Sequence, residues 1–180
     1  YIALGRNETL GEIPYDVVLM PEGGLALRNL APLLPYFDIH PKLVKFAGSH
    51  FWDDPNLSKE PPLQGGWFAA PDPAGWEFFN KKYNDQFSQN PVRIATIAYD
   101  ALSLVGALIS SKPEAPFSYA SLTRANGFKG VDGVFRLLPD GTNQRGFAIQ
   151  EIGKNKNKII SRAPQTFAEM QRRHDFALAR

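Results

Sequence analysis

The chain has 180 residues, of which 43% are hydrophobic and 21% charged, so it can bury one sizeable core or two small ones. The net charge of +2 is too small to indicate a polyanionic partner. The absence of cysteine excludes disulfide frameworks, cysteine-ligated metals and thiol catalysis. Residues 154–180 contain seven Lys or Arg and two acidic residues, which predicts a solvated basic helix or, alternatively, a contact with nucleic acid or anionic lipid.

The first part of the chain predicts a β-α-β unit. Residues 16–20 form a short apolar run closed by proline and glycine, typical of a strand buried on both faces of a parallel sheet. Residues 25–39 have helical spacing, but Pro32 and Pro35 each remove a backbone donor, so this helix is kinked or split. Residues 43–48 then predict a second strand.

Two long helices are predicted in the middle of the chain, after a proline-flanked loop at 53–64 and a third strand at 67–70. The first helix carries an aromatic stripe at spacings of three and four, made of Trp76, Phe79, Tyr83 and Phe87. The second begins near Pro91 and ends near Ser111. Because it is apolar over most of its circumference, we expect it to be largely buried.

The last third predicts a short helix within 117–126 and then a hairpin. Residues 134–138 and 147–152 are its expected arms, joined through the turn Pro139-Asp140-Gly141. A charged turn at 154–158 leads to a further strand at 158–160, and a polar helix ends the chain.

Motifs for catalysis are not found. The chain has no nucleophile elbow, and its three histidines, His40, His50 and His174, have no metal-ligand spacing. Glu22-Gly23-Gly24 follows a predicted strand and opens a helix. These residues could present backbone amides to an anion, or the two glycines could simply permit a tight turn.

Three sequence blocks, in this order, carry a family resemblance: Gly65-Gly66-Trp67-Phe68, residues 92–101 and residues 133–141. With the predicted elements, they make the chain resemble the C-terminal half of a type 1 periplasmic binding protein. This family comprises two-lobed receptors for branched-chain amino acids and related solutes. Within it, four short motifs are most similar to bacterial penicillin-binding protein activators, which are exported and often lipid-anchored: Leu-Ala-Pro-Leu-Leu at 30–34, Gly-Gly-Trp-Phe-Ala-Ala-Pro-Asp-Pro at 65–73, Leu-Pro-Asp-Gly at 138–141 and Ala-Pro-x-x-Phe at 163–167.

The resemblance implies an α/β fold: one three-layer parallel-sheet lobe with a C-terminal β-hairpin, plus helices that belong to the other lobe. Residues 1–70 would be the second-lobe β-α-β portion, and 71–112 the helices returning to the first lobe. Residues 113–162 would be the second-lobe hairpin portion, and 163–180 the C-terminal basic helix. A whole receptor is about twice this long, so the expectation is that the chain is a piece of one.

The resemblance also implies where a ligand would bind. The loop Ser49-His50-Phe51-Trp52 matches the position at which amino-acid receptors carry an acid for the ligand's ammonium group; here His50 stands nearest to it. Trp52 could offer an aromatic face, and Tyr99 could approach from the other lobe. Trp67 is either a packing residue or a ligand contact. The complete set of expected ligand-binding residues is Glu22, Gly23, Gly24, Ser49, His50, Trp52, Trp67 and Tyr99.

The functional expectation is a non-catalytic, periplasmic solute-binding receptor without a cofactor or metal. It would close two lobes on a small polar ligand of amino-acid or amide type and could serve the permease of an ABC transporter. The alternative is a lipoprotein-type interaction protein that has lost its ligand and activates a peptidoglycan synthase, with any lipid anchor outside these residues. An enzyme is a third possibility, and no nucleic-acid partner is expected.

Overall fold

The computed structural model describes residues 13–178, which form two compact units. Unit 1 comprises the chain up to Ala70 together with Ile149–Ser161, and unit 2 comprises Pro71–Ala148 together with the chain from Arg162 onward. The sequence-based division of the chain into portions of two receptor lobes stays a prediction. The chain returns to unit 1 after Ala148, so residues 113–148 lie in the unit of the two long helices. The outermost residues of the expected first and last portions, 1–12 and 179–180, lie outside the described residues.

The elements follow in chain order. The strands are β1 (Val17–Met20), β2 (Lys45–Gly48), β3 (Trp67–Ala70), β4 (Phe128–Gly130), β5 (Gly133–Leu137), β6 (Asn143–Arg145), β7 (Ala148–Glu151) and β8 (Lys158–Ser161). The helices are α1 (Gly24–Leu30), α2 (Leu33–Tyr36), α3 (Pro73–Phe87), α4 (Ala95–Ser111), α5 (Tyr119–Leu122) and α6 (Phe167–Leu178). Short 3-10 turns cover His50–Trp52, Pro55–Lys59 and Pro61–Leu63.

Unit 1 is built on a five-stranded mixed sheet in the order β1-β2-β3-β7-β8. Strands β1, β2 and β3 are parallel, and β7 and β8 pair antiparallel across the predicted charged turn. Helices α1 and α2 are separate, which confirms the predicted split at the prolines. One sheet face and these helices enclose a core that includes Leu27, Phe46 and Phe68, each at most 1% exposed.

The expectation that the first strand is buried on both faces is wrong for β1. Met20 is 3% exposed, but Val17 and Leu19 are 54% and 69% exposed. Successive side chains of a strand point to opposite faces, so one face of β1 packs on the core and the other is open. The strand also lies at the sheet edge, and no described element covers its second face.

Unit 2 packs α4 against the three-stranded antiparallel sheet β4-β5-β6. Its buried cluster contains Leu108 of α4 with Phe128 and Phe135 of the sheet. The aromatic stripe of α3 is present as a series of ring contacts: Trp76 meets Phe79, Phe79 meets Tyr83, and Tyr83 meets Phe87.

Helix α4 is much more exposed than its composition predicts. Only Thr96, Asp100 and Leu108 are buried, whereas Ile97 and Leu102 are 53% and 74% exposed. The helix is apolar on nearly all sides, but its packing partners, the β4-β5-β6 sheet at Leu108 and α3 at Tyr99, leave Ile97 and Leu102 uncovered. Within residues 13–178, α4 is therefore a partly exposed helix, and the expectation that it is largely buried is wrong.

The predicted hairpin forms with a different second arm. The Pro139-Asp140-Gly141 turn connects β5 to β6, with Phe135 opposite Arg145 and Leu137 opposite Asn143. The expected arm at 147–152 instead supplies β7 to the sheet of unit 1. The polar β6 can act as the return strand because its side chains have tertiary partners: Gln144 accepts a hydrogen bond from Arg136, and Arg145 pairs with the buried Asp100.

Within residues 13–178, no helix is both long and apolar enough to cross a lipid bilayer.

Candidate functional site

The loops that follow β1 and β2 lie against each other in unit 1. The hydroxyl of Ser49 donates to the carbonyl oxygen of Pro21 at 3.2 Å, and Trp52 Nε1 donates to the carbonyl oxygen of Glu22 at 3.1 Å. A Cβ placed on Gly23 would come within 2.6 Å of Phe51 Cβ, so the two backbones approach as closely as a glycine permits. Because parallel strands end at the same edge of a sheet, this is where α/β folds place ligands.

Trp52 holds the two loops of this site in place from the core of unit 1. Its side chain is 0% exposed, and a Cβ at either Gly48 or Gly66 would overlap its ring. The two glycines therefore let the indole lie flat on β2 and on the residue before β3. The expectation that Trp52 offers an aromatic face to a ligand is corrected: the ring is covered on both sides, and its N–H holds the Glu22 loop in place.

The exposed surface of the same loops carries three chemically distinct groups. The side chains of Glu22 and His50 are exposed, and so is Phe51, at 58%. The His50 and Phe51 rings lie 4.3 Å apart, centroid to centroid. The surface therefore offers a carboxylate, an imidazole and an aromatic face. Phe51 is a residue that the sequence analysis missed, although it lies between two expected residues in a loop after a strand.

Gly23 and Gly24 serve the turn that leads into α1. Gly23 is the N-cap residue and has extended backbone angles, with no side chain to cap the helix. Gly24 has φ +54°, a conformation that costs glycine little, and no atom lies near its would-be Cβ. The tight-turn interpretation thus has direct structural support, and the anion interpretation stays a prediction.

Trp67 lies on the open face of the sheet rather than within the two loops. Its indole N–H donates to Glu151 Oε2 at 2.9 Å, and Lys45 Nζ lies 4.6 Å from the ring centroid. Lys45 also donates to the carbonyl oxygen of Gly65 at 3.0 Å. These contacts give Trp67 a packing role across three strands, while 39% of its surface stays exposed.

Tyr99 belongs to α4 in unit 2. Its hydroxyl accepts a hydrogen bond from Lys82 Nζ at 2.9 Å, and its ring meets Phe79 edge-on at 5.3 Å. The structure thus brings Glu22, Gly23, Ser49, His50 and Trp52 together in one unit. A ligand contact by Tyr99 stays a prediction.

Among residues 13–178, no group of three His, Cys, Asp or Glu side chains is arranged to hold a metal ion. His50 contacts the Phe51 ring, and His174 pairs with Asp175 at 3.5 Å on the exposed surface of α6.

Comparisons with known proteins identify the fold. A branched-chain amino acid ABC transporter periplasmic ligand-binding protein from Burkholderia xenovorans matches with 16% identity and a TM-score of 0.57, over 83% of this chain and 44% of that protein. LivJ from Streptococcus pneumoniae, solved in complex with isoleucine, matches with 14% identity and a TM-score of 0.55, over 86% of this chain and 46% of LivJ. Haemophilus influenzae LpoA matches with 10% identity and a TM-score of 0.53, over 81% of this chain and 26% of LpoA.

No family model and no curated protein matches the sequence. The chain spans less than half the length of the solved structures it matches. Since every identity is below 25%, the similarity defines the fold alone: this chain has the α/β fold of the type 1 periplasmic binding proteins.

Proposed function

We propose that the chain is part of a non-catalytic solute-binding receptor that holds a small polar ligand on the loops after β1 and β2. The observation that carries this proposal is the direct contact between those loops through Ser49, Gly23 and Trp52. Two loops that are fixed to each other form a preorganised surface, which lowers the entropic cost of binding.

The exposed side chains support a ligand of amino-acid or amide type. Position 50 carries a histidine instead of an acid, but Glu22 on the adjoining loop provides an exposed carboxylate that can pair with an ammonium group or accept from an amide. Phe51 provides an apolar face for the rest of such a ligand. Glu22, Ser49, His50 and Phe51 are therefore the proposed contacts, and Trp52 is a positioning residue.

A thermal-shift screen of this chain against amino acids, amides and peptidoglycan fragments tests the proposal. A bound compound at about 100 times its Kd stabilises the folded state by about 2.7 kcal/mol. Glu22→Gln should abolish the shift of a compound with an ammonium group, because it removes the carboxylate without changing side-chain size. Glu77→Gln, at an exposed acid on α3, is the matched control and should leave the shift unchanged. An unchanged shift of such a compound in Glu22→Gln would refute the assigned site.

Its place in the cell follows from the same proposal. The Burkholderia protein is described as periplasmic and as part of an ABC transporter, and we extend this to the present chain as a periplasmic location and a transporter permease as partner.

The second candidate is an interaction protein that activates a peptidoglycan synthase and could carry a lipid anchor outside these residues. The structural similarity to LpoA and the histidine at position 50 favour it. A screen without any stabilising compound, together with retention of a purified synthase on the immobilised chain, would support this candidate and contradict the receptor.

A further inference from the structure

Unit 2 contains a cavity between the β5-β6 hairpin and α6. It has a volume of about 180 Å³ and is lined by Arg136, Gln144, Phe167, Met170, Gln171 and His174. No aspartate or glutamate is among these residues. The cavity is thus lined by cationic, amide and apolar groups together.

Arg136 is held rigidly at this cavity. Its Nε donates to Gln144 Oε1 at 2.8 Å and its Nη1 donates to the carbonyl oxygen of Ala125 at 3.2 Å. The guanidinium carbon lies 4.5 Å from the centroid of the Phe167 ring. Among the described residues, Nη2 has no hydrogen-bond partner. A guanidinium that is fixed by two hydrogen bonds and a stacked ring loses little freedom when its remaining donors bind a ligand.

Gln144 supplies a second free donor. Its amide oxygen accepts from Arg136, and within residues 13–178 no residue accepts a hydrogen bond from its Nε2 group. Two adjacent donors, one of them charged, match the two oxygens of a carboxylate. The side chains of Phe167 and Met170 complete the cavity with apolar surface.

We propose that this cavity binds a small organic carboxylate. Its oxygens accept from Arg136 Nη2 and Gln144 Nε2, and its apolar part lies against Phe167 and Met170. The volume is below the roughly 300–1,000 Å³ of sites for drug-sized ligands, so the ligand is of the size of a single ring with a short acidic arm. The site also gives a role to the basic C-terminal segment, because α6 forms one of its walls.

The two methionines of the chain provide a direct test, since Met170 lines this cavity and Met20 lies in the core of unit 1. Protein labelled with ¹³C in the methionine methyl groups is titrated with phenylacetate. The Met170 signal should shift and saturate, while the Met20 signal stays in place. The neutral isostere phenylacetamide and inorganic phosphate should each bind at least about tenfold more weakly, because the charged pairing or the apolar contact is lost.

Variants locate the site. Arg136→Gln should weaken phenylacetate binding at least about tenfold, whereas Arg172→Gln, at an exposed arginine of α6 outside the cavity, should leave it unchanged. Gln144→Leu, which should also weaken binding, is the second variant if Arg136→Gln unfolds unit 2, and urea unfolding followed by far-ultraviolet circular dichroism reports whether each variant is folded.

The proposal is overturned if Met170 does not respond to phenylacetate, or if phenylacetamide or phosphate binds equally well. A loss of binding in Arg172→Gln as large as that in Arg136→Gln would also contradict it, because it would indicate non-specific attraction to the basic helix.

Discussion

Gly48→Ala should destabilise unit 1 because there is no room for a methyl group between β2 and Trp52. The added Cβ would overlap the indole ring, which is 0% exposed and donates to the carbonyl oxygen of Glu22. Overpacking of a core costs about 1–3 kcal/mol, and loss of the indole hydrogen bond about 1 kcal/mol more. We therefore expect a loss of about 2–4 kcal/mol in the free energy of unfolding.

A double-mutant cycle with Trp52→Ala separates the steric cause from other effects of alanine. Trp52→Ala alone should cost about 3–5 kcal/mol, because it leaves a cavity in the core. In that background Gly48→Ala should be neutral or stabilising by up to about 1 kcal/mol, since alanine is a better strand residue than glycine once the ring is absent. The change of sign is the signature of a direct clash.

Urea unfolding followed by far-ultraviolet circular dichroism measures all four proteins of the cycle. Gly106→Ala is a matched control: this glycine lies within α4 and no atom lies near its would-be Cβ. It should stabilise the chain by about 0.5–1 kcal/mol. If Gly48→Ala lowers the free energy of unfolding as much in the Trp52→Ala background as with Trp52 present, a direct clash between position 48 and the Trp52 ring is refuted.

Two further predictions concern charged groups of unit 2. Asp100 is 3% exposed, accepts from the backbone N–H of Val131 at 2.6 Å and pairs with Arg145. Asp100→Ala should therefore lower the free energy of unfolding, measured in urea titrations, by about 3–5 kcal/mol. The control Asp85→Ala, at an exposed position, should leave it nearly unchanged. At Glu169, the backbone N–H of Gln165 and then Arg173 hold the pKa below its ordinary value of 4.5. The stabilising effect of Glu169 on α6 is therefore complete above the unfolded pKa and is lost as the pH falls through the lower folded pKa. Glu169→Gln should remove this acid dependence from the protection of α6 against backbone-amide exchange. An acid dependence that persists in the variant would contradict the assignment to Glu169.

The strand-helix-strand start of the chain is predictable from sequence because its signals are local. Pro32 lies at the break between α1 and α2, as its missing backbone donor predicts, whereas Pro35 is accommodated within the four residues of α2. The run from Asp16 to Met20 likewise contains β1. The exposure of Val17 and Leu19 is not local information, since it depends on which elements cover the sheet.

For helix α4, too, the sequence predicts the element but not its burial. Its composition correctly indicates a helix that is apolar on most sides, but burial is decided by neighbours. Ile97 and Leu102 are exposed because the described residues that pack on α4, the sheet at Leu108 and α3 at Tyr99, do not cover them.

At the candidate site, position along the chain could be predicted, but orientation could not. The loop after a parallel strand is a sound place to expect Ser49, His50 and Trp52. That Trp52 points inward while Phe51 points outward depends on the packing of the ring over two glycines. Gly48 and Gly66 were the available signal, because a glycine in or beside a strand often marks a close approach of another group.

The return strand of the hairpin also could not be predicted from local sequence. Asn143–Arg145 is polar and short, so its composition does not indicate a strand. Its side chains are held by Arg136 on the neighbouring strand and by Asp100, which is 45 residues away from Arg145 in the sequence.

The assignment of the ligand site to the loops after β1 and β2 is tested most directly by the methyl signal of Met20, the last residue of β1, which lies two residues before Glu22. Methionine-labelled protein is titrated with the compounds that stabilise it in the thermal-shift screen, with isoleucine and glutamine included in every case. We predict that an amino acid that stabilises the protein by binding these loops shifts the Met20 signal and loses this effect in Glu22→Gln. A stabilising compound that leaves Met20 in place, or an amino-acid and amide panel with no effect on it, would contradict the site.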